Sequence, residues 1–144
     1  MPDPTSTLQD KVVVVGGGAK NLGGLISRDL AGHGAKAIVV HFNSDGTMKA
    51  AEETVAAVKA LGADAFAIQG DLTKADENRR LFAEAKARFG KVDIAVNTTG
   101  MVIKKPILEC SEADYDKIFA INSKAAFFFL QEAGRTLENG CKIV

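Results

Sequence analysis

The sequence predicts an α/β fold built on a doubly wound parallel sheet of five strands, expected in the order 3-2-1-4-5. The segment Lys11–Val15 contains a continuous β-branched run without alternation, which is typical of a strand buried on both faces. Further runs of this kind alternate with segments of helical periodicity, at a spacing suited to right-handed crossovers. At 144 residues, nearly half of them apolar, the chain is about one domain long and can bury a core.

Each predicted element has its own signal along the chain. The predicted strands are residues 11–15, 35–42, 64–71, 91–100 and 141–144. The predicted helices run from about 22 to the glycines at 32 and 34, over 49–62, over 73–89, and from 111 to about 137. Apolar residues recur at helical spacing in each of them. Thr73 with Asp76, and Ser111 with Asp114, have the spacing of a capping box at the start of the third and fourth helices.

The composition excludes several classes of function. The formal net charge is zero and the charges are interspersed, so we expect no nucleic-acid partner. Cys110 and Cys141 lack metal-ligand spacing, and neither His33 nor His41 has a cluster of ligands around it, so we expect no metal. Two unpaired cysteines are best explained as reduced thiols of a cytoplasmic protein.

The ends of the chain carry no membrane signal. Residues 1–10 are polar, contain prolines and lack the basic and apolar regions of a secretory signal, so we predict a flexible lead-in. The apolar run Ala125–Leu130 is far too short to span a bilayer. We therefore expect a soluble protein without a membrane partner.

A stretch rich in glycine follows the first strand and leads into the first helix. A P-loop requires Lys and then Ser or Thr directly after its last glycine, but Gly23 is followed by Gly24 and Leu25. This excludes a kinase or ATPase loop. The dinucleotide pattern Gly-x-Gly-x-x-Gly fits imperfectly, because starting it at Gly16 places Asn21 at its third glycine.

A third spacing fits better: Gly17, three residues, Asn21, one residue and Gly23. It resembles the Thr-Gly-x-x-x-Gly-x-Gly loop of the short-chain dehydrogenase/reductase family, with Gly16 replacing the Thr and Asn21 the middle Gly. Asn tolerates a left-handed backbone, so position 21 keeps the turn at modest cost. The helix beginning near Leu22 would direct its free N–H groups at a pyrophosphate, which Gly17 and Gly23 would allow to approach closely. Glycines that serve only the packing of helix on strand are the alternative.

Three further stretches follow the family's order. Asp71 comes after the third strand, where the family's Asp accepts a hydrogen bond from the adenine amino group. Asn97–Gly100 ends the fourth strand, where the family has Asn-Asn-Ala-Gly. Asn122 lies in the fourth helix, where the family has an Asn that helps to organise the active site, so it is the one expected catalytic residue. The resemblance implies a dinucleotide-binding Rossmann domain over residues 11–144.

The cofactor contacts that the resemblance implies are Gly17, Gly18, Lys20, Asn21, Leu22, Gly23, Phe42, Asn43, Ser44, Asp71, Leu72, Asn97, Thr98 and Gly100. Simpler roles stand beside some of them. Asp71 could cap a loop, and Asn97 could satisfy backbone groups at a strand end. Asn122 is a poor helix former among Ala and Phe residues, which favours a role in a site.

The sequence favours NADP over NAD. Sites specific for NAD usually place an acid at the end of the second strand, where it binds the ribose hydroxyls and repels a 2′-phosphate. Phe42 stands at that position, so the repulsion is missing. Lys20 lies where members of the family that use NADP often have a basic residue, and Asn43 and Ser44 can donate to a phosphate. An ordinary solvated lysine is the alternative for Lys20 alone.

The catalytic groups of the family are absent. The family's reaction passes hydride between the nicotinamide and the carbon of a small carbonyl or alcohol substrate, with Ser and a Tyr-x-x-x-Lys pair acting on the oxygen. The single tyrosine here is Tyr115, and the residue four positions later is Phe119. We therefore expect this chain to be inactive or nearly so.

Two explanations for this absence are open. One is a chain cut short within a longer NADP-dependent reductase, which we favour because an apolar strand ending at its fourth residue would be an exposed edge. The other is a non-catalytic nucleotide-binding or interaction module. In the family the fourth helix packs against a partner subunit, so its run Ala125–Leu130 also implies a homo-oligomer, with ordinary core packing as the alternative.

Overall fold

The computed structural model describes residues 8–144. Its strands are β1 (Val12–Gly16), β2 (Ala37–Phe42), β3 (Asp64–Gln69), β4 (Ile94–Asn97) and β5 (Lys142–Ile143). Its helices are α1 (Asn21–Gly32), α2 (Met48–Ala60), α3 (Ala75–Phe89), α4 (Glu112–Phe119) and α5 (Ala125–Thr136), and short 3-10 turns cover Asp45–Thr47 and Ile107–Glu109. The strands form one parallel sheet in the order β3-β2-β1-β4-β5, which confirms the predicted fold and strand order.

The central strand β1 is flanked by β2 and β4, both parallel to it. Val15 is opposite Val40 of β2 and Val96 of β4, so the three strands reach the same edge of the sheet at their carboxyl ends. The chain leaves β1 toward one side and later crosses to β4 on the other. This change of direction opens a crevice beyond the ends of β1 and β4, which is where doubly wound sheets bind their ligands.

Helices cover both faces of the sheet. Along β1, Val13 and Val15 pack on the side of α1 and α2, whereas Val14 packs on the side of α3 and α5. All three are fully buried, as the unbroken β-branched run predicted. On the second side, Phe82 of α3 meets Phe129 of α5 edge to face, with ring centroids 5.1 Å apart.

One predicted helix start is confirmed and another is wrong. Ser111 caps α4: its hydroxyl accepts from the Asp114 amide, and the Asp114 carboxylate accepts from the Ser111 amide. The Thr73–Asp76 box does not form, because α3 begins at Ala75 behind Lys74, whose side chain makes no cap. Thr73 instead donates its hydroxyl hydrogen to Asp71, a nearer carboxylate that the box pattern does not take into account.

The predicted fourth helix is not a single α-helix. A π-helical turn, Ala120–Lys124, joins α4 to α5, and the last helical residue is Thr136, close to the predicted end near 137. Asn122 lies within this turn. Such insertions frequently accompany functional sites.

The start of the chain lies largely outside the described residues. The predicted lead-in, residues 1–10, is described only from Leu8 onward, where Leu8 accepts from the Lys11 amide and Gln9 bridges to Ala35. Among residues 8–144, no helix is long and apolar enough to cross a membrane. The same residues contain no cluster of His, Cys, Asp and Glu that could hold a metal.

Candidate functional site

A cleft of about 620 Å³ lies beyond the carboxyl ends of the strands, within the size range of small-molecule sites. It is lined by the glycine loop after β1, the ends of β2 and β3, the loop after β4 and the helical segment around Lys117–Ala125. These segments are far apart in sequence. The parallel sheet brings them together because it ends all its strands at one edge.

The turn into α1 has the backbone that the spacing predicted. Asn21 has φ +52°, which is the left-handed conformation expected for an Asn in place of the middle glycine, and Gly17 has φ +72°. Lys20 is extended and precedes the first helical residue. The Gly24 amide makes the first bond within α1, to the Lys20 carbonyl, so the amides of Asn21–Gly23 precede the helical ladder at the cleft.

Thr98, directly after β4, is hydrogen-bonded to the backbone of the glycine loop. Its hydroxyl donates to the Gly16 carbonyl at 2.7 Å and lies 3.3 Å from the Gly17 carbonyl. A Cβ added at Gly23 would lie 2.1 Å from the Gly17 oxygen and 2.6 Å from the Thr98 Oγ1. The same atom at Gly17 would lie 2.9 Å from the Thr98 Oγ1. These glycines therefore allow the loop to pack on itself and on Thr98, directly after β4, and their contact with a cofactor stays a prediction.

Two buried hydroxyls hold the loop from the side of α1 and α2. Ser27 donates to the Gly23 and Gly18 carbonyls, at 2.9 Å and 3.2 Å. Thr54 of α2 donates to the Ala19 carbonyl at 2.7 Å and accepts from Arg28. The turn is thus fixed by side chains from two helices as well as by Thr98.

His41 connects the loop to the neighbouring strands. It is 2% exposed, near the end of β2. The Gly17 amide donates to its Nδ1 at 3.0 Å, and its Nε2 lies 2.8 Å from the Gly70 carbonyl oxygen. Burial is the main cause that lowers the pKa of His41, with the Arg80 charge acting in the same direction. The imidazole is therefore neutral at pH 7.

The end of β2 presents an apolar ring and small polar groups. Phe42 is nearly buried and lines the cleft together with Asn43, Ser44 and Thr47. The nearest acid after β2, Asp45, accepts from Gln69 at 2.9 Å and does not line the cleft. The cleft therefore has no carboxylate from this turn.

Asp71 is a carboxylate fixed within its own loop. Its Oδ1 accepts from the Thr73 amide at 3.0 Å and the Thr73 hydroxyl at 2.7 Å. Partial burial acts to raise the pKa of Asp71, but the two Thr73 bonds and the charges of Lys74 and Lys124 outweigh it and hold the pKa below its usual value. Asp71 is thus an ionised acceptor that lines the cleft.

Asn97, at the end of β4, bonds to backbone and side-chain groups of its own loop. The Asn97 Oδ1 accepts from the Thr99 amide and hydroxyl, at 3.1 Å and 2.6 Å, and Asn97 does not line the cleft. Gly100 does line it. A Cβ at Gly100 would lie 2.8 Å from the Asn122 Oδ1, so this position leaves no space for a side chain.

Asn122 joins the loop after β4 to the π-helical turn. Its Oδ1 accepts from the Met101 amide at 3.0 Å, and its Nδ2 donates to the carbonyls of Met101 and Ile118 at 2.9 Å and 3.0 Å. Asn122 itself does not line the cleft, although Met101 and Ile121 do. It therefore positions the cleft wall, and its catalytic role stays a prediction.

The structure brings most of the expected cofactor residues to one cleft. Those that line it are Gly17, Lys20, Asn21, Leu22, Gly23, Phe42, Asn43, Ser44, Asp71, Leu72, Thr98 and Gly100. Gly18 does not: it is buried, and its carbonyl accepts from Ser27. Residues that the sequence did not indicate also line it, among them His41, Thr47 and Lys117. A polar residue in the otherwise apolar second strand was the one signal that could have indicated His41.

The charges around the cleft favour an anion. Among the residues that line it, Lys20 and Lys117 are the cations and Asp71 is the one carboxylate. The first turn of α1 adds its unbonded amides and the positive end of the helix dipole. A multiply charged phosphate compound fits this arrangement better than a neutral ligand does.

Comparison with known proteins agrees with this geometry. The family described as short chain dehydrogenase matches residues 11–144. Hydroxynaphthalene reductase-like protein Arp2 of Metarhizium robertsii is 41% identical over 96% of the chain and 51% of its own length. Elsinochrome reductase 1 of Elsinoe fawcettii is 36% identical over 97% of the chain and 51% of its own length. The chain thus spans about half the length of these curated relatives.

Solved structures show the same fold. A Burkholderia cenocepacia dehydrogenase crystallised with bound NADP is 62% identical, with a TM-score of 0.91 over 95% of this chain and 52% of its own. A dehydrogenase/reductase of Sinorhizobium meliloti is 29% identical, with a TM-score of 0.90 over 96% of this chain and 54% of its own. The five-stranded sheet and its flanking helices are therefore common to proteins of this kind.

Proposed function

The chain belongs to the short chain dehydrogenase family, and from that premise we propose that it binds NADP and serves an oxidoreductase reaction that interconverts a carbonyl and a secondary alcohol. The observation that carries this proposal is the left-handed turn at Asn21, which places the amides of Asn21–Gly23 at the cleft. An N-terminal helical turn of this kind favours a pyrophosphate. The relatives named as reductases support the reaction class.

The preference for NADP is supported by the end of β2. Phe42 replaces the acid that would repel a 2′-phosphate, and Asp45 is bonded to Gln69 outside the cleft. Lys20, Asn43 and Ser44 line the adjacent wall. A 2′-phosphate at this wall would have the Lys20 ammonium and the neutral donors of Asn43 and Ser44 beside it. No carboxylate at the end of β2 would repel it. The NADP bound in the Burkholderia cenocepacia relative agrees with this preference.

Calorimetric titration of this chain with NADPH and NADH tests the proposal. We expect saturable binding of both, with NADPH the tighter by about tenfold, the magnitude of one good charge-assisted contact. The Lys20→Ala variant should lose most of that difference and keep its affinity for NADH. Lys59→Ala, which removes the same charge at the far end of α2, is the matched control. Equal affinities in the unmodified chain would remove the NADP preference, and no binding would remove the proposal.

Asp71 is proposed to accept from the adenine amino group that both cofactors share. Asp71→Ala should therefore weaken NADPH and NADH by the same factor, about tenfold for a hydrogen bond to a charged group. Because the change also removes the Thr73 bonds, the midpoint of thermal unfolding should be recorded for the same variant. Unchanged affinity for both cofactors would leave Asp71 as a loop cap only.

The chemistry that a bound nicotinamide supplies is the transfer of hydride to or from the substrate carbon. We propose that this chain alone does not complete that reaction. The one tyrosine, Tyr115, is 59% exposed, stacks on Phe119 and does not line the cleft. An assay of NADPH oxidation with a panel of ketones should show no turnover, although calorimetry should show that NADPH binds. Turnover by the chain would show that another residue protonates the substrate oxygen.

We propose that the outer face of α4 and α5 pairs with a second copy of the chain. Phe127 is 61% exposed, and Phe119 and Leu130 are 50% and 47% exposed. Sedimentation equilibrium should give a dimer that Phe127→Glu dissociates. A monomer at all concentrations would contradict the pairing without affecting cofactor binding.

A cytoplasmic location, with Cys110 and Cys141 unpaired within residues 8–144, stays a prediction.

A further inference from the structure

His41 is a buried titratable group to which the proposed function gives no role. It lies on the face of β2 that carries Val39, which belongs to the same buried cluster as Leu81 and Phe82 of α3. It also sits at the junction of three segments: the glycine loop, the end of β2 and the end of β3. A polar ring in this place requires a partner for each nitrogen, and both partners are backbone groups.

The two contacts fix the proton on the ring. The Gly17 N–H donates at 3.0 Å, so Nδ1 must be the unprotonated acceptor. The Gly70 carbonyl can only accept, so Nε2 must carry the hydrogen and donate at 2.8 Å. The neutral Nε2–H tautomer satisfies both. A doubly protonated ring would direct an Nδ1–H at the Gly17 N–H, so two donors would face each other.

We propose that neutral His41 is a positioning residue that connects Gly17 to Gly70 and holds the glycine loop in its cofactor-binding shape, and that protonation of the ring releases the loop. This inference rests on the proposed function for its cofactor part. Gly17 has φ +72° and begins the turn that ends at Asn21, so a shift of its amide moves the amides at the start of α1. His41 thus acts on the pyrophosphate site through the backbone and does not need to touch the ligand.

The surroundings of His41 set the direction of its titration. Burial, the largest cause, lowers the pKa, and Arg80 lowers it further, whereas the Gly70 bond, Glu77 and Asp71 act to raise it. The net effect is a pKa below the usual 6.5. Since the folded chain binds this proton less readily than the unfolded chain, its contribution to stability is complete above about pH 6.5 and is lost as the pH falls through the lowered pKa.

Two isosteric variants separate the two bonds. In His41→Asn, the side-chain oxygen can occupy the place of Nδ1 and still accept from Gly17. In His41→Gln, the longer amide can still donate to Gly70 but offers no acceptor at the Nδ1 position. Neither variant titrates. His33→Asn, at the opposite end of α1, is the matched control for loss of a histidine.

Calorimetric titration with NADP⁺ at pH 7.5 and at a pH below the midpoint of the His41 titration is the binding experiment. At pH 7.5 we expect His41→Gln to bind about tenfold more weakly than the unmodified chain, the loss of one buried hydrogen bond, and His41→Asn, which keeps the Gly17 bond, to bind more tightly than His41→Gln. Acidification should weaken the unmodified chain and the His33→Asn control more than His41→Asn. Titration of the ligand's own phosphate is common to all of them and cancels in the comparison.

Nuclear magnetic resonance of the ¹⁵N-labelled chain without cofactor is the second experiment. The His41 nitrogen shifts should show the Nε2–H tautomer at pH 7.5, and the Gly17 amide should move with the titration of that ring. If NADP⁺ does not bind but these shifts are seen, the proposed function fails and the connection stands. If NADP⁺ binds and both variants match the unmodified chain at both pH values, the inference is overturned. If His41→Gln does not fold, the comparison of the unmodified chain with His41→Asn is sufficient. An equal dependence of their NADP⁺ affinities on pH would overturn the inference.

Discussion

The glycine loop and the segment 101–110, of which Met101 lines the same cleft, are held in different ways. The loop is fixed by buried or half-buried side chains from β2, α1, α2 and the residues after β4, among them His41, Ser27 and Thr98. The segment 101–110 exposes apolar side chains, with Leu108 96% exposed. Its connections to the rest of the fold are surface bonds, such as those of Asn122 with Met101.

The difference concerns two functions: the glycine loop is expected to bind the cofactor, and the segment 101–110 is expected to border the substrate. A loop held in place before the ligand arrives loses little entropy on binding, so the cofactor side is ready as it stands. The segment 101–110 has no buried residue, and few buried contacts are the structural property of segments that open easily. We therefore expect the chain to bind a dinucleotide without ordering a site for the substrate.

Gly23→Ala should have the largest effect, because it adds a methyl group where the glycine loop packs most closely on itself. The new Cβ would lie 2.1 Å from the Gly17 oxygen, which is backbone and cannot move aside alone. We expect a loss of about 3 kcal/mol of stability, at the upper end of overpacking costs, and no measurable NADPH binding. Chemical unfolding and calorimetry would measure the two effects.

Gly32→Ala is the control for that change. It lies at the end of the same helix, where an added Cβ would meet no atom within 4 Å beyond its own neighbours along the chain and helix. Its stability should stay the same or rise by up to about 1 kcal/mol, since Ala is the better helix former. Normal NADPH binding by Gly23→Ala would mean that the loop is not held as rigidly as the contacts imply.

Asn122→Ala should have a smaller and local effect. Its three hydrogen bonds are exposed and Ala favours the helix, so the free energy of unfolding should change by less than about 1 kcal/mol. Hydrogen exchange of the Met101 amide should accelerate, and limited proteolysis should cut within residues 101–110. Ser123→Ala, in the same π-helical turn, should do neither. Unchanged protection of Met101 would show that other contacts hold this segment.

The smallest effect concerns the start of α4. The Lys105 ammonium, with the Ser111 amide and hydroxyl, lowers the pKa of Asp114 to about 2. The support that Asp114 gives to this turn is therefore present above its usual pKa of 3.8 and is lost as the pH falls from there toward 2. Titration of the Asp114 carboxyl carbon by magnetic resonance should find this value, and Lys105→Met should raise it. A pKa near 3.8 in the unmodified chain would contradict the Lys105–Asp114 contact.

The sequence predicted what depends on local pattern. The Ser111 cap follows from a spacing within a few residues, the left-handed Asn21 from its place in a loop that resembles the family's, and the strand order from the alternation of strands and helices; all three are confirmed. The Thr73–Asp76 box was wrong because Asp71, two residues away, takes the Thr73 hydroxyl. Local pattern gives the possible partners of a polar side chain but not which of them it chooses.

What the sequence could not indicate depends on distant contacts. The π-helical turn contains the amide of Asn122, whose partner Met101 is 21 residues away. His41 meets Gly17 and Gly70, 24 and 29 residues away, and only the packed sheet brings those backbone groups to one ring. Pairings of this kind become visible only when the register of the strands is known.

The central claim, that the dinucleotide binds on the ordered side of the cleft, is tested most directly by titrating the ¹⁵N-labelled chain with NADP⁺ and following each backbone amide. We predict saturable shifts that are largest at Asn21–Gly23, with further shifts at Asn43 and Ser44 and small ones over residues 102–110. Absence of saturable shifts, or the largest shifts within residues 102–110, would contradict this claim.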